Sequence, residues 1–201
     1  MLPLSTSRLV LRRFTLADVE TFMAYRNDPD VARYQSWEGC TRAEAERLIH
    51  DQQSQEPGEP GQWYQIAIAL KEGGALLGDC ALRIHTPDVR QATIGFTLAR
   101  ANQRHGYATE ALTCLLAHLF QQKRLHRVVA DTDPQNVASW TLLERLGMRR
   151  EGHLRQSLRF KGQWADEYLY AVLAEDWLVK REGEAVHEER TSDATGFNHT
   201  E

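Results

Sequence analysis

The sequence predicts an α/β domain of the α+β kind, with about seven mostly antiparallel strands and helices set between them in the order β-α-α-β-β-β-α-β-α-β-β. Three observations carry this. Apolar residues recur at 108, 111, 112, 115, 116, 119 and 120, a helical stripe with almost no exceptions. Three strand-like runs follow one another between Trp63 and Ala99 with short breaks, as in an antiparallel meander. Two more runs meet across Lys161-Gly162-Gln163, the residue types of a hairpin turn.

Taken in order, Ser7 to Arg13 alternates as a strand, and Thr15-Leu16-Ala17-Asp18 offers a capping box ahead of the apolar set Leu16, Val19, Phe22 and Met23. A helix follows, broken at Asn27-Asp28-Pro29-Asp30. Thr41-Arg42-Ala43-Glu44 repeats the capping box before a second helix running to about Gln53. Ser54 to Gly61, rich in Pro, Gly and Glu, reads as a loop. Strands are expected over Trp63 to Leu70, Ala75 to His85 and Gln91 to Ala99, with Gly73-Gly74 turning between the first two. The strong helix opens at Ala108. His126 to Thr132 is a short buried strand, and Asn136 to Leu146 a helix stopped by Gly147, where a left-handed residue is favoured. Met148 to Phe160 and Trp164 to Leu173 are the arms of the closing hairpin.

A chain of 201 residues, 42% hydrophobic and 26% charged, has the material for one domain, placed at 1–180. Residues 181–201 carry six acids, two bases and one aromatic residue, the composition of an acidic, disordered tail. No run approaches the roughly 18 apolar residues of a membrane helix, and Met1-Leu2-Pro3-Leu4-Ser5 lacks the regions of a signal peptide. A cytoplasmic protein, monomeric or homodimeric, is expected. Cys40, Cys80 and Cys114 are odd in number and far apart, so they are expected to be small core residues rather than disulfides or metal ligands. The net charge of −4 conceals a division: residues 100–161 hold eleven Lys and Arg against five Asp and Glu, while 1–99 and 162–180 are each net −3. Nucleic-acid readers carry an overall basic excess. A basic segment in a neutral body suits a compact polyanion, unless it is chance surface charge.

Gln103 to Thr109 is the turn from the third meander strand into the strong helix. The first N–H groups of a helix have no internal partner, and the helix dipole adds partial positive charge there, so a phosphate can bond several amides at once. Gly106 lets the backbone approach closely, and Ala108 keeps the next approach point small.

Gln103-x-x-Gly106-x-Ala108 resembles the pyrophosphate signature Q/R-x-x-G-x-G/A of the GCN5-related N-acetyltransferases (GNAT). The likeness extends over nearly the whole body. It is greatest to the RimJ/RimL-like ribosomal-protein N-terminal acetyltransferases, through Ser7-Arg8-Leu9-Val10-Leu11-Arg12, Gly106-Tyr107-Ala108-Thr109-Glu110-Ala111, and Asn136-x-x-Ser139 followed by Leu146-Gly147-Met148-x-x-Glu151-Gly152. The resemblance implies a mixed sheet with helices on both faces, whose fourth and fifth strands splay around the pantetheine arm of acetyl-CoA. It implies that Gln103 and the amides of Arg104, His105, Gly106, Tyr107, Ala108 and Thr109 hold the pyrophosphate. Backbone groups of Leu98 and Arg100 would bond the pantetheine arm from one side and Asn136 from the other, and Ser139 would protonate the leaving thiolate. Read by residue type alone, Asn136 and Ser139 are equally a helix cap and a first-turn residue. Arg145, Arg149 and Arg150 either meet the 3'-phosphate region or form a solvated face.

The implied acceptor is an amine, on a protein N-terminus or a small molecule, with no metal and no nucleic acid. The other reading is a non-catalytic acyl-CoA-binding or regulatory domain, against which the presence of both Asn136 and Ser139 counts. Many relatives carry a glutamate where this chain has Thr93, so no base is evident; His85, Asp88 and Asp166 are candidates to pass a proton through water. At neutral pH roughly a tenth to a third of an α-amine is unprotonated, against about one in a thousand for a lysine amine, which favours an α-amine. No serine lies in Gly-x-Ser-x-Gly, so direct attack in a ternary complex is expected. Trp37, Tyr64 and Asp166 are the candidate acceptor-binding residues. Tyr34, Trp63 and Trp164 would add aromatic walls, if the two tryptophans are not core residues.

Overall fold

A computed structural model describes residues 1–181, so the acidic stretch lies, from residue 182 on, outside the described residues. The strands are β1 (Leu4–Ser5), β2 (Leu9–Arg12), β3 (Trp63–Leu70), β4 (Leu76–Ile84), β5 (Gln91–Leu98), β6 (Arg127–Thr132), β7 (Arg149–Phe160) and β8 (Gln163–Leu173). They form one sheet in the order β1-β2-β3-β4-β5-β6-β8-β7. The helices are α1 (Val19–Arg26), α2 (Pro29–Ala32), α3 (Arg42–Gln53), α4 (Tyr107–Ala117), α5 (Val137–Arg145) and α6, whose described part is 174–181.

Sequence explains most of these boundaries. At α3 the Thr41 N–H donates to Glu44 Oε2 at 2.8 Å and the Glu44 N–H returns to Thr41 Oγ1 at 3.3 Å, the reciprocal bonds of a capping box. At the end of α5 the Met148 N–H reaches the Leu143 carbonyl and the Gly147 N–H the Glu144 carbonyl, both at 3.0 Å, with Gly147 at φ 88°. This pair of hydrogen bonds over a left-handed residue ends the helix. The hairpin between β7 and β8 turns on Lys161 and Gly162 at φ 47° and 81°.

Three elements differ from expectation. Leu4–Ser5 adds an edge strand to β2, too short to leave a pattern. Asp28-Pro29 opens α2 as well as ending α1, because the Asp28 carboxylate accepts the Asp30 N–H at 2.9 Å and Pro29 occupies the first turn, where its missing N–H costs nothing. Residues 174–181 continue as α6, whose Trp177 packs on Phe120 with ring centroids 5.6 Å apart. Of the cysteines, Cys80 is a core residue, and Cys40 and Cys114 are half-buried; all three are free.

Two cores lie on opposite sheet faces. One face packs Tyr64, Ile66, Ile68, Leu82 and Ile94 under the α4 stripe Ala111, Leu112, Leu115 and Leu116, continued by Leu119 just past the end of α4. The other packs Ala67 and Leu76 under Phe22 and Tyr25 of α1 and Ala45 and Ile49 of α3. Alternation along β3 therefore buries both faces, which is why it reads as an unbroken apolar run.

The sheet splits in its middle. β5 and β6 pair in parallel only at Gln91 with Arg127, Ala92 with Val128 and Thr93 with Val129. Beyond them β5 stays with β4 to Leu98 and β6 stays with β8 to Thr132, so the two inner edges diverge. These are the fourth and fifth strands of the expected order, which did not include Leu4–Ser5. The split opens toward the start of α4.

Candidate active site

Arg104 and Gly106 both take left-handed backbone, at φ 65° and 79°, and turn the chain sharply into α4. The first helical bond of this segment is from Glu110 N–H to the Gly106 carbonyl, so the backbone N–H groups of residues 104–109 have no acceptor among the described residues. They are the donor array that an anion at a helix start requires.

The opening strand holds this turn in place. Glu110 accepts from the Arg8 N–H at 3.0 Å, Arg8 Nε at 2.7 Å, Ser7 Oγ at 3.2 Å and the Thr6 hydroxyl. Burial opposes the charge on Glu110, yet these bonds outweigh it and hold the carboxyl down at about 2. Arg8 also donates to the His105 carbonyl at 3.1 Å and lies 4.7 Å over the Tyr107 ring, whose other neighbour is the stacked His105 ring at 5.7 Å. Arg8 and Glu110 both lie in segments that resemble the family, but nothing in the sequence says that they bond each other.

A cavity of about 500 Å³ runs from this turn into the split, lined by Gln103, Arg104, Gly106, Tyr107, Ala108 and Thr109, by Phe96, Thr97 and Leu98 of β5, and by Asn136, Ser139 and Arg145 at α5. The side chains of two expected members turn elsewhere, the His105 ring to the Gln103 carbonyl at 2.8 Å and Arg100 to Asp30, which leaves the backbone groups expected to bind the cofactor uninvolved in these contacts. The Leu98 carbonyl accepts from Gln103 Nε2 at 3.1 Å, so Gln103 ties the turn to the end of β5. Of the basic segment, Arg104 and Arg145 reach this cavity, while Arg149 pairs with Asp176 at 3.5 Å and Arg150 lies 4.4 Å over Tyr168.

A second cavity, of about 470 Å³, lies on the α1–α3 side of the split. Trp37, Trp63, Gln65, Ala81, Asp131, Phe160 and Asp166 are among its lining residues, and it shares Tyr34, Gln35, Phe96, Asn136 and Ser139 with the first. The two cavities therefore meet at Ser139. Asn136 caps α5, its Oδ1 accepting the Ser139 N–H at 3.3 Å, as its residue type alone suggests. The Ser139 hydroxyl has no hydrogen-bond partner among the described residues.

Of the acceptor candidates, Trp37 lines the second cavity and its Nε1 is buried without a partner. Tyr64 does not: it is 2% exposed in the core beneath α4, its hydroxyl accepting from Arg13 at 3.2 Å. Alternation along β3 puts Trp63 in the cavity instead, 44% exposed. Trp164 is also exposed. Asp166 lines the cavity but is engaged, accepting the Gln156 N–H at 2.8 Å and meeting His153 Nε2 at 2.7 Å, which together hold its carboxyl below the usual range. His85 Nε2 lies 2.7 Å from Thr93 Oγ1, and Asp88 is held at about 2 by Arg90; none of the three lines either cavity. Asp131 escaped the sequence reading. The available signal was the period of β6, in which Val128 and Ala130 are buried and Asp131 must point the other way. Desolvation in the cleft, and then Glu167, push its carboxyl above the usual aspartate range. Among the described residues no group of His, Cys, Asp and Glu gathers to hold a metal ion, and no helix is long and apolar enough to cross a membrane.

Comparison with known proteins agrees with this geometry. Residues 8–149 match the family model of the acetyltransferase (GNAT) domain. The chain is 28% identical over 174 residues to the uncharacterized N-acetyltransferase YnaD of Bacillus subtilis, covering 87% of this chain and 98% of that one. It is 34% identical over 88 residues to the [ribosomal protein uS5]-alanine N-acetyltransferase of Escherichia coli, covering 44% of this chain and 45% of that one. The structure of Mycobacterium smegmatis RimJ in complex with CoA-disulfide superposes with a TM-score of 0.72 at 26% identity, covering 83% of this chain and 82% of that one. An amide-lined turn, a split sheet and a serine where two cavities meet thus belong to a member of the GNAT family of N-acetyltransferases, which take their acetyl group from acetyl-CoA.

Proposed function

We propose that this acetyltransferase acts on the α-amine at the N-terminus of a peptide or protein, by direct attack in a ternary complex. The observation that carries this reading is the shape of the acceptor side. The second cavity continues outward, through Tyr34, Asp133, Phe160, Ala165 and Asp166, into a groove of about 510 Å³ whose far walls are Arg33, Gln135, Lys161, Gln163 and Trp164. An acceptor reaching Ser139 from the surface thus has a channel for a chain behind its amine. The relative named [ribosomal protein uS5]-alanine N-acetyltransferase favours the same class of acceptor.

The acidic lining of the inner cavity favours a second reading, a polyamine. Arg33 and Lys161 at the outer end count against it, since they would repel the distal ammonium.

In the proposed reaction the amides of residues 104–109 bind the pyrophosphate and Asn136 orients the arm beside β5. The thioester supplies an activated acetyl group. Ser139, at the meeting point, donates its hydroxyl proton toward the departing sulfur. A cytoplasmic setting and a single catalytic domain over 1–180 are part of the same proposal. Incubation of the purified protein with acetyl-CoA and a panel of N-terminal peptides, polyamines and aminoglycosides, following free thiol release, tests it. Release with peptides bearing a free α-amine, lost on Nα-blocking, is the expected result; turnover of polyamines or aminoglycosides alone would overturn it.

A further inference from the structure

The acceptor cavity has four charged lining residues, Asp131, Asp133, Asp166 and Glu167, and no Lys, Arg or His. Three of the carboxylates already serve the protein's own donors. Asp133 accepts the Gln135 N–H at 2.7 Å, Asp166 is taken by the Gln156 N–H and His153, and Glu167 accepts from Ser157 Oγ at 2.7 Å. Asp131 is different. Beyond its own backbone N–H, its carboxylate has no hydrogen bond or ion pair among the described residues. It stands two residues past Val129, the last of β6 to pair with β5, so it lies where the sheet splits. The corresponding position two residues past Thr93 is Gly95, which has no side chain to fill the gap. A carboxylate without a counter-charge, crowded by a second one, gains from any cation that reaches it.

We infer that Asp131 is a catalytic residue: it binds the acceptor's ammonium group in the inner cavity and takes the proton that must leave before nitrogen can attack. This rests on the proposed amine acceptor and adds the base that Thr93 does not supply. The nitrogen loses two protons in all. One passes to the Asp131 carboxylate, which keeps it while the freed lone pair attacks and releases it to solvent only after the transfer. As the C–N bond forms and the C–S bond breaks, Ser139 gives its hydroxyl proton to the sulfur, which leaves as a thiol, and the second proton of the nitrogen passes through water to the serine oxygen and restores the hydroxyl. Glu167 on β8 is the charge acting on Asp131, Asp133 and Asp166 are the other acids of the cavity, and His153 stays with Asp166.

The test is the pH dependence of kcat/KM for a peptide with a free N-terminal alanine, in wild type, Asp131→Asn and Asp131→Glu, with acetyl-CoA affinity measured separately. Wild type can use the ammonium form, so its profile is flat between the Asp131 titration and that of the amine. Asp131→Asn must wait for the neutral amine and rises about tenfold per pH unit over that interval, being about 100-fold slower than wild type at pH 6, about tenfold at pH 7 and nearly equal above an amine pKa of about 8. Asp131→Glu restores a flat region. Acetyl-CoA affinity is unchanged throughout, because Asp131 does not line the cofactor cavity. A uniform loss with an unchanged profile, or no loss, overturns the assignment while leaving the proposed function standing. Binding of acetyl-CoA with no thiol release from wild type on any amine overturns both.

Discussion

On the cofactor side of the split, the groups that face the ligand are mostly backbone: a continuous run of amides from Arg104 to Thr109, shaped by two left-handed residues and fixed from outside by the Arg8–Glu110 pair. On the acceptor side they are side chains brought from seven separate segments, around Tyr34–Trp37, Trp63–Gln65, Ala81, Phe96, Asp131–Asp133, Asn136–Leu143 and Leu158–Glu167. The first arrangement depends on one short stretch and tolerates little change within it. The second can be altered piece by piece, which allows one fold to keep its acyl donor and vary its acceptor.

The largest expected effect breaks the backbone half. In Gly106→Val a β-branched residue would have to sit at φ 79°, with its Cβ 3.4 Å from Arg8 Nη2. Acetyl-CoA affinity, measured by calorimetry without acceptor, should fall by about 100-fold or more, since a 1.4 kcal/mol loss is already tenfold. Normal binding would mean that the turn is not the anion site. Next comes the point where the halves meet: Ser139→Ala should lower kcat by about 100-fold with cofactor affinity unchanged, and equal loss of both would remove the donor role from Ser139.

Glu110→Gln tests the outer clamp. Removing the charge should weaken acetyl-CoA binding by about five- to tenfold, as for loss of a charge-assisted hydrogen bond. It should also change the acid stability. The folded carboxyl is held at about 2 against an ordinary 4.5, so its contribution is complete above about 4.5 and is lost as pH falls toward 2. The thermal midpoint of wild type should drop more steeply than that of the variant across this window; parallel curves would contradict the clamp. The smallest effect lies at the outer groove. Trp164→Ala should raise KM about threefold for a hexapeptide and leave alaninamide untouched, as for loss of part of one exposed contact worth about 0.7 kcal/mol.

The same division decides what could be read from the sequence. The turn was legible because its determinants are consecutive: Gln103, Gly106, Ala108 and the stripe that starts α4. Capping boxes, the Gly147 stop and the meander were legible for the same reason. The acceptor side was not, because its residues are adjacent only after folding. Tyr64 and Trp63 differ by one position, and alternation sends one to the core and the other to the cavity; the choice depends on which sheet face carries α4, which no local pattern reports. Asp131 was passed over in a strand read only as buried. The basic segment predicted more than it delivered, because Arg127, Arg149 and Arg150 are spent on Glu151, Asp176 and Tyr168.

The most direct test of the central claim places the acetyl group. A peptide with both a free N-terminal alanine and an internal lysine is incubated with the protein and acetyl-CoA, and the product is located by fragment mass spectrometry. Acetyl on the α-amine, with the lysine free, is the predicted result. Acetyl on the lysine, with the α-amine free, would contradict the account.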